Sequence, residues 1–141
     1  MDVTKYENVK VLDHPLLVHK INKLRSVKTR TNEFRQLVEE ISLLEGYEAL
    51  RNVPTFKKEV QTPIEKTTVD FVEGKKLCFV PILRAGLGMA EGMLRLVPRA
   101  SCGHIGMYRD EVTHKPVEYY CKLPQNIAEK RVVLVDPMLA T

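Results

Sequence analysis

The stretch from Lys76 to Leu96 constrains the fold of this 141-residue chain more than any other. It opens with the run Leu77-Cys78-Phe79-Val80, checked by Pro81. It then places Arg84, Gly86 and Gly88 ahead of an apolar pattern at helical spacing that lasts to Leu96. An unbroken apolar run of this length reads as a strand buried on both faces, as in parallel sheets. A strand, a glycine turn and a helix in that order form half of a strand–helix–strand unit. A second run, Val132-Val133-Leu134-Val135, ends at Asp136 and supplies another such strand. Between them, Gly103 to Tyr108 and Val117 to Leu123 read as two strands joined through a turn at Thr113-His114-Lys115-Pro116, a hairpin. Phe56 to Gln61 reads as one more short strand. The expected class is α/β, with a mostly parallel sheet, flanking helices and one hairpin arm, as a single domain over residues 1–141.

The first fifty or so residues carry a different period. Asp13 is placed to cap a helix that has Pro15 in its first turn, where a missing N–H is harmless. Thr31 or Asn32 is placed to cap a second helix. Its stripe is Phe34, Leu37, Val38, Ile41 and Leu44, with Arg35, Gln36, Glu39 and Glu40 off it. Asn52-Val53-Pro54 ends that element.

Composition excludes several classes. Aromatic residues are 6% of the chain and Trp is absent, which is poor in the platforms that stack many bases. The formal charge of +4 suits a polyanionic ligand such as a diphosphate, and equally suits a soluble protein with no anionic partner. Cys78, Cys102 and Cys121 are scattered and form no CxxC pair, so neither a zinc ribbon nor a redox motif is written, and a reducing, cytoplasmic setting is expected. Cys78, inside an apolar run, is expected in the core. His14 and His19 are five apart and share no helix face, and His104 and His114 have no partners, so no protein metal site is expected. There is no apolar leader after Met1 and no stretch of about 18 apolar residues, so no membrane segment is expected.

Three places can carry chemistry. At Arg84-Ala85-Gly86-Leu87-Gly88, a permanent planar cation precedes a glycine turn and a helix start. Backbone N–H groups and the helix dipole there favour an anion. The same glycines, Gly86, Gly88 and Gly92, form a relative of the dinucleotide fingerprint, with Asp110 as a ribose acceptor. They also read as close packing of the helix on the sheet. At Tyr108-Arg109-Asp110-Glu111, Arg109 can reach a phosphate with the acids beyond holding it in place, or the tetrapeptide is a solvated turn. Asp136 stands where open α/β sheets bind ligands, beyond a strand's carboxyl end. It can accept from ribose hydroxyls or hold a hydrated Mg²⁺, or it caps a turn. Thr141 offers a hydroxyl and an N–H where a phosphate-cradling turn begins.

Taken in order, four segments resemble the uracil phosphoribosyltransferase family. They are His14-Pro15 through His19-Lys20 to Leu24-Arg25; Val80-Pro81-Ile82-Leu83-Arg84-Ala85-Gly86-Leu87-Gly88-Met89; Gly103 to Asp110 with Lys115-Pro116 to Lys122-Leu123-Pro124; and Val135-Asp136-Pro137-Met138-Leu139-Ala140-Thr141. The resemblance implies the type I phosphoribosyltransferase sheet with helices on both faces, and transfer of the phosphoribosyl group of 5-phosphoribosyl 1-diphosphate to N1 of uracil. It implies that Arg84 and Arg109 bind the diphosphate, and that Asp136, Pro137, Met138, Leu139, Ala140 and Thr141 begin the loop around ribose and 5-phosphate. It implies Mg²⁺ carried mainly on the diphosphate, a homodimer or higher homo-oligomer, and in some members a response to GTP. The Arg109–Leu123 hairpin is an expected subunit arm. Two other functions on similar patterns are a regulatory nucleotide- or RNA-binding protein and a dinucleotide-dependent oxidoreductase. The run from Lys20 to Arg30 is expected to be a solvated helix face rather than a nucleic-acid surface.

The sequence stops one turn past the apolar run ending at Val135. An uncovered apolar sheet face is costly, so the expectation is a piece of a longer domain. The family's remaining phosphate loop and its uracil-reading segment lie beyond the position of Thr141. The 141 residues alone are therefore expected to show no transferase activity, and no uracil-binding residue is expected among them.

Overall fold

The computed structural model describes residues 6–138. Helices α1 (Pro15–Leu24) and α2 (Thr31–Ala49) come first, then strands β1 (Thr55–Gln61) and β2 (Lys66–Val72). There follow β3 (Leu77–Leu83), α3 (Leu87–Leu96), β4 (Ser101–Cys102), β5 (His104–Arg109), β6 (Pro116–Lys122) and β7 (Arg131–Val135).

Both helix starts differ from expectation by a residue or two. Pro15 takes the first helical position of α1, so the cap falls on His14 rather than Asp13. The His14 Nδ1 accepts from the Leu16 N–H at 3.2 Å. In α2, Thr31 is already helical and the cap is Arg30, without a side-chain bond; the Arg30 carbonyl accepts from the Phe34 N–H at 2.8 Å. The short link between the helices is tied back instead, its Thr29 hydroxyl donating to the Lys23 carbonyl at 2.5 Å. Ion pairs of 2.6 Å, Lys20–Glu40 and Lys23–Glu33, lock α1 onto α2. These two lysines are therefore engaged by α2 rather than simply solvated. Leu17 fills the space between the helices, 2% exposed.

The buried stripe of α2 is rotated from the expected one. Leu37, Val38 and Ile41 are buried, but so are Ser42 and Gly46, whereas Phe34 is 39% exposed. The reason is α3. A Cβ on Gly92 would lie 2.7 Å from the Glu39 carbonyl oxygen, and one on Gly46 would lie 2.3 Å from the Met93 Sδ. Ser42 donates its hydroxyl to the Met89 carbonyl at 2.6 Å across this contact. Small residues thus let the two helices approach to backbone contact. Gly88 and Gly92 face α2, not the sheet. Ser42→Ala is expected to cost about 1 kcal/mol in denaturant unfolding, since the lost bond leaves the Met89 carbonyl its intrahelical donor. Ser42→Val is expected to cost more, because Ser42 Cβ already lies 3.1 Å from where a Gly92 Cβ would be.

Strand β3 is central. It pairs in parallel with β7 along one edge, Phe79 opposite Val133 and Pro81 opposite Val135. Along the other edge it pairs in parallel first with β4 and then with β5, Phe79 opposite Cys102 and Leu83 opposite Gly106. Strand β6 closes that flank antiparallel to β5, as the hairpin reading required, with a bulge where Tyr119 is the extra residue opposite Gly106–Met107. Val38, Phe79, Met89, Ala90, Met93 and Val135 form the main core, with α2 and α3 over one sheet face. Cys78 is fully buried, and burial pushes its thiol pKa up. Val132 and Leu134 point away from that core and are 45% and 59% exposed.

A second hairpin was not expected. β1 and β2 pair antiparallel from Thr55–Val72 to Gln61–Lys66 as a separate two-stranded sheet. Most of its side chains are exposed, so the hydrophobic pattern carried little signal. Cross-strand pairs hold it instead: Lys57–Asp70 at 2.8 Å, Phe56 against Phe71 at 6.2 Å between centroids, and Lys58 Nζ 5.5 Å from the Phe71 ring centre. Its turn is closed by Thr62, whose hydroxyl accepts from the Ile64 and Glu65 N–H groups.

Candidate functional site

The carboxyl ends of β3, β5 and β7 deliver Arg84, Arg109 and Asp136 to the same end of the sheet, where ligands of open α/β sheets bind. The join between β3 and α3 is a tight turn. The Leu83–Arg84 peptide is cis, the Gly86 N–H donates to the Ile82 carbonyl at 2.8 Å, and the Leu87 N–H donates to the Arg84 carbonyl at 3.2 Å. Gly86 then caps α3, and its carbonyl receives the Ala90 N–H at 3.0 Å. A Cβ on Gly86 would sit 2.5 Å from the Val135 carbonyl oxygen and 2.9 Å from the Ile82 nitrogen and oxygen. The ends of β3 and β7 and the start of α3 therefore meet at one glycine. Arg84 precedes that point by two residues, and Asp136 directly follows Val135.

Arg84, Arg109 and Asp136 are exposed, and among the described residues none of them takes part in an ion pair or a side-chain hydrogen bond. Pro137 is half-buried and Met138 is 57% exposed. Leu139, Ala140 and Thr141 lie outside the described residues. Two cations without carboxylate partners, at the same end of the sheet as a lone carboxylate, can receive a phosphorylated, hydroxylated ligand without breaking existing bonds.

Asp110 does not hold Arg109. Its Oδ1 accepts from the Val112 N–H at 3.1 Å and from the Thr113 N–H and hydroxyl at 2.6 and 2.8 Å. The bonds from Thr113 hold its carboxyl below the usual range. It organises the β5–β6 turn, with His114 at φ 55°, and this local use also removes it as a ribose acceptor for a dinucleotide. With Gly88 and Gly92 turned to α2, the glycine spacing of a dinucleotide fingerprint serves helix packing. Among the described residues no three His, Cys, Asp or Glu side chains gather as a metal cage. No described helix is long and apolar enough to cross a membrane.

Sequence reasoning passed over what lies beside Asp136. A cavity of about 280 Å³ runs between α1, α2 and the turn after β7, lined by Asp136, Pro137, Met138 and Met89 and, from the helices, by Arg25 and Glu45. The signal was the Leu24-Arg25 pair at the end of α1, read as part of a solvated face. Glu45 is half-buried and desolvation raises its carboxyl pKa. An acid whose folded pKa lies above its unfolded value binds more protons when folded, so its ionisation lowers stability as pH rises through that window. Glu45→Gln is accordingly expected to raise the thermal midpoint at pH 7, with a smaller gain at pH 4. Equal gains at both pH values would contradict that origin.

Residues 11–141 match the family model described as uracil phosphoribosyltransferase. Curated proteins of that name include one from Thermoanaerobacter, 57% identical over 136 residues, and one from Lactococcus lactis, 56% identical over 131 residues. These alignments cover 96% and 93% of this chain, and the chain spans 65% and 62% of those relatives' lengths. The solved structure of the AQ2163 protein from Aquifex aeolicus superimposes with a TM-score of 0.87 at 40% identity, over 94% of this chain and 63% of that one.

Proposed function

The chain belongs to the uracil phosphoribosyltransferase family, and from that premise we propose that the protein transfers the phosphoribosyl group of 5-phosphoribosyl 1-diphosphate to uracil, releasing diphosphate and forming UMP. The observation that supports this most is the convergence of Arg84, Arg109 and Asp136 at the carboxyl ends of three neighbouring parallel strands.

In this reaction the ribose C1–oxygen bond breaks with its electron pair leaving on the diphosphate, C1 bonds to uracil N1, and the N1 proton is lost. Negative charge grows on the leaving group while the ribose becomes oxocarbenium-like. Arg84 and Arg109, fixed at strand ends, grip the diphosphate oxygens and stabilise that charge, and the positive end of the α3 dipole adds to it. Asp136 accepts from the ribose hydroxyls and holds C1 in line. The loop begun by Pro137, Met138, Leu139, Ala140 and Thr141 surrounds the 5-phosphate. Mg²⁺ would be carried mainly on the diphosphate, Asp136 would be the carboxylate available to its hydration shell, and the ion would add neutralisation of the leaving charge.

We place the protein in the cytoplasm as a single domain acting as a homo-oligomer. Exposed hairpins suit the subunit contact: β5–β6 carries Tyr119 and Tyr120, 54% and 43% exposed, and β1–β2 carries Phe56 and Phe71.

The test joins all 141 residues of this chain to the remaining third of the Thermoanaerobacter relative and assays UMP formation from uracil and phosphoribosyl diphosphate with Mg²⁺. UMP formation is expected. A folded chimera that binds phosphoribosyl diphosphate and makes no UMP overturns the proposal.

A further inference from the structure

Phosphoribosyl diphosphate is anionic at both ends, with a diphosphate on C1 and a phosphate on C5 of the same ribose. Arg84 and Arg109 both lie on the β3–β5 flank of the site. Asp136 ends β7, which pairs with β3 along the opposite edge. A ribose held by Asp136 with its diphosphate over the two strand arginines has its other end on the β7 side, where the cavity that Asp136 lines also reaches α1 and α2.

What stands there is Arg25. It caps the C-terminus of α1, its N–H donating to the Ile21 carbonyl at 3.0 Å, and it lines the cavity that Asp136, Pro137 and Met138 also line. It is the only cation lining that cavity among the described residues; the walls contributed by Ile21, Leu24, Val38 and Ile41 are apolar. The neighbouring cations of α1 are already engaged, Lys20 by Glu40 and Lys23 by Glu33. Arg25 has no ion-pair partner among the described residues. Nor does it serve the other acid of the cavity: the Glu45 carboxyl is raised by desolvation, with no cation offsetting it. A guanidinium left without a carboxylate, on an exposed helix end, is suited to an incoming phosphate.

We propose that Arg25 is a third phosphate-binding arginine, contributed by α1, which holds the 5-phosphate end of phosphoribosyl diphosphate while Arg84 and Arg109 hold the diphosphate end. The proposal rests on the reading of the site given above.

Titration calorimetry with Mg²⁺ separates the two ends. Inorganic diphosphate probes the C1 end alone, and phosphoribosyl diphosphate probes both. Arg25→Gln is expected to weaken phosphoribosyl diphosphate binding by roughly 10- to 100-fold, the loss of one charge-assisted contact, and to leave diphosphate binding unchanged. Arg84→Gln is expected to weaken both, and Arg25→Lys to restore part of the loss. Because Arg25 is exposed, the thermal midpoint of the glutamine variant is expected to match the parent. Unchanged affinity for phosphoribosyl diphosphate in Arg25→Gln, or an equal loss for both ligands, overturns the role of Arg25 and leaves the strand-end site standing. A parent chain that binds neither ligand removes the site itself, and the role of Arg25 with it.

Discussion

Gly86→Ala is expected to lower unfolding stability by about 3 kcal/mol or more. The added Cβ would lie 2.5 Å from the Val135 carbonyl oxygen and 2.9 Å from backbone atoms of Ile82. No flexible side chain can retreat there. Either β3 and β7 part or the first turn of α3 shifts, and Val135, Phe79 and Met89 belong to one core cluster that would open with them. Conformational freedom is not the cause, because Gly86 has φ −70°, which any residue adopts. Gly88→Ala is the control. Its Cβ would meet the Val38 Cγ1 at 3.2 Å, a side-chain contact that can relax by a few tenths of an ångström, and alanine also gains roughly 0.5–1 kcal/mol in helix preference. Denaturant melts of the two variants are expected to differ by more than about 2 kcal/mol. Equal losses would mean that Gly86 is not the point where strands and helix are pinned.

Arg84→Gln is expected to act in the opposite way, with a large loss of function and no loss of fold. Arg84 is exposed and, among the described residues, bonds through its side chain to nothing, so its removal leaves no buried group unpaired. On the proposed reaction it meets the charge that builds on the leaving diphosphate. Deleting one such fixed donor costs about 100- to 1,000-fold in turnover. Steady-state UMP formation by the chimera, with and without the substitution, measures this. A rate within about threefold of the parent, well short of the loss of a transition-state contact, would take Arg84 out of the chemistry.

The parts of this architecture that could be read from sequence are those with strong periodicity or strong punctuation. The buried run at Leu77–Val80, the helix ending at Leu96 and the hairpin through Thr113–Pro116 all fall within a residue or two of where the pattern puts them. The placement of Arg84, Arg109 and Asp136 at one end of the sheet was legible because each closes a strand, and strand ends in one parallel sheet share a side. Three features were not legible, for different reasons. The β1–β2 hairpin has little buried face, so its cross-strand ion pair and aromatic contact leave no alternation to detect. The tilt of α2 depends on Ser42 and Gly46, residues that a hydrophobic stripe ignores, because their contribution is the absence of bulk. Arg25 and Asp110 show the limit of local spacing. One faces a cavity built with β7, more than a hundred positions along the chain, while the other closes its own turn.

The α2–α3 contact also bears on how such a sequence can change over generations. Gly46 lies against Met93, and Gly92 against Ser42 and the Glu39 carbonyl, so each position has a volume ceiling set by a residue far away in the chain. Bulk can enter on one helix only after it has left the other, and at Gly92 not even then, because the ceiling there is backbone. Since α3 begins at the turn that carries Arg84, substitutions accepted in α2 are filtered by whether that turn stays in place. Residues 42 and 46 stand on another helix from the turn that carries Arg84, yet the bulk each can accept is tied to whether that turn stays in place.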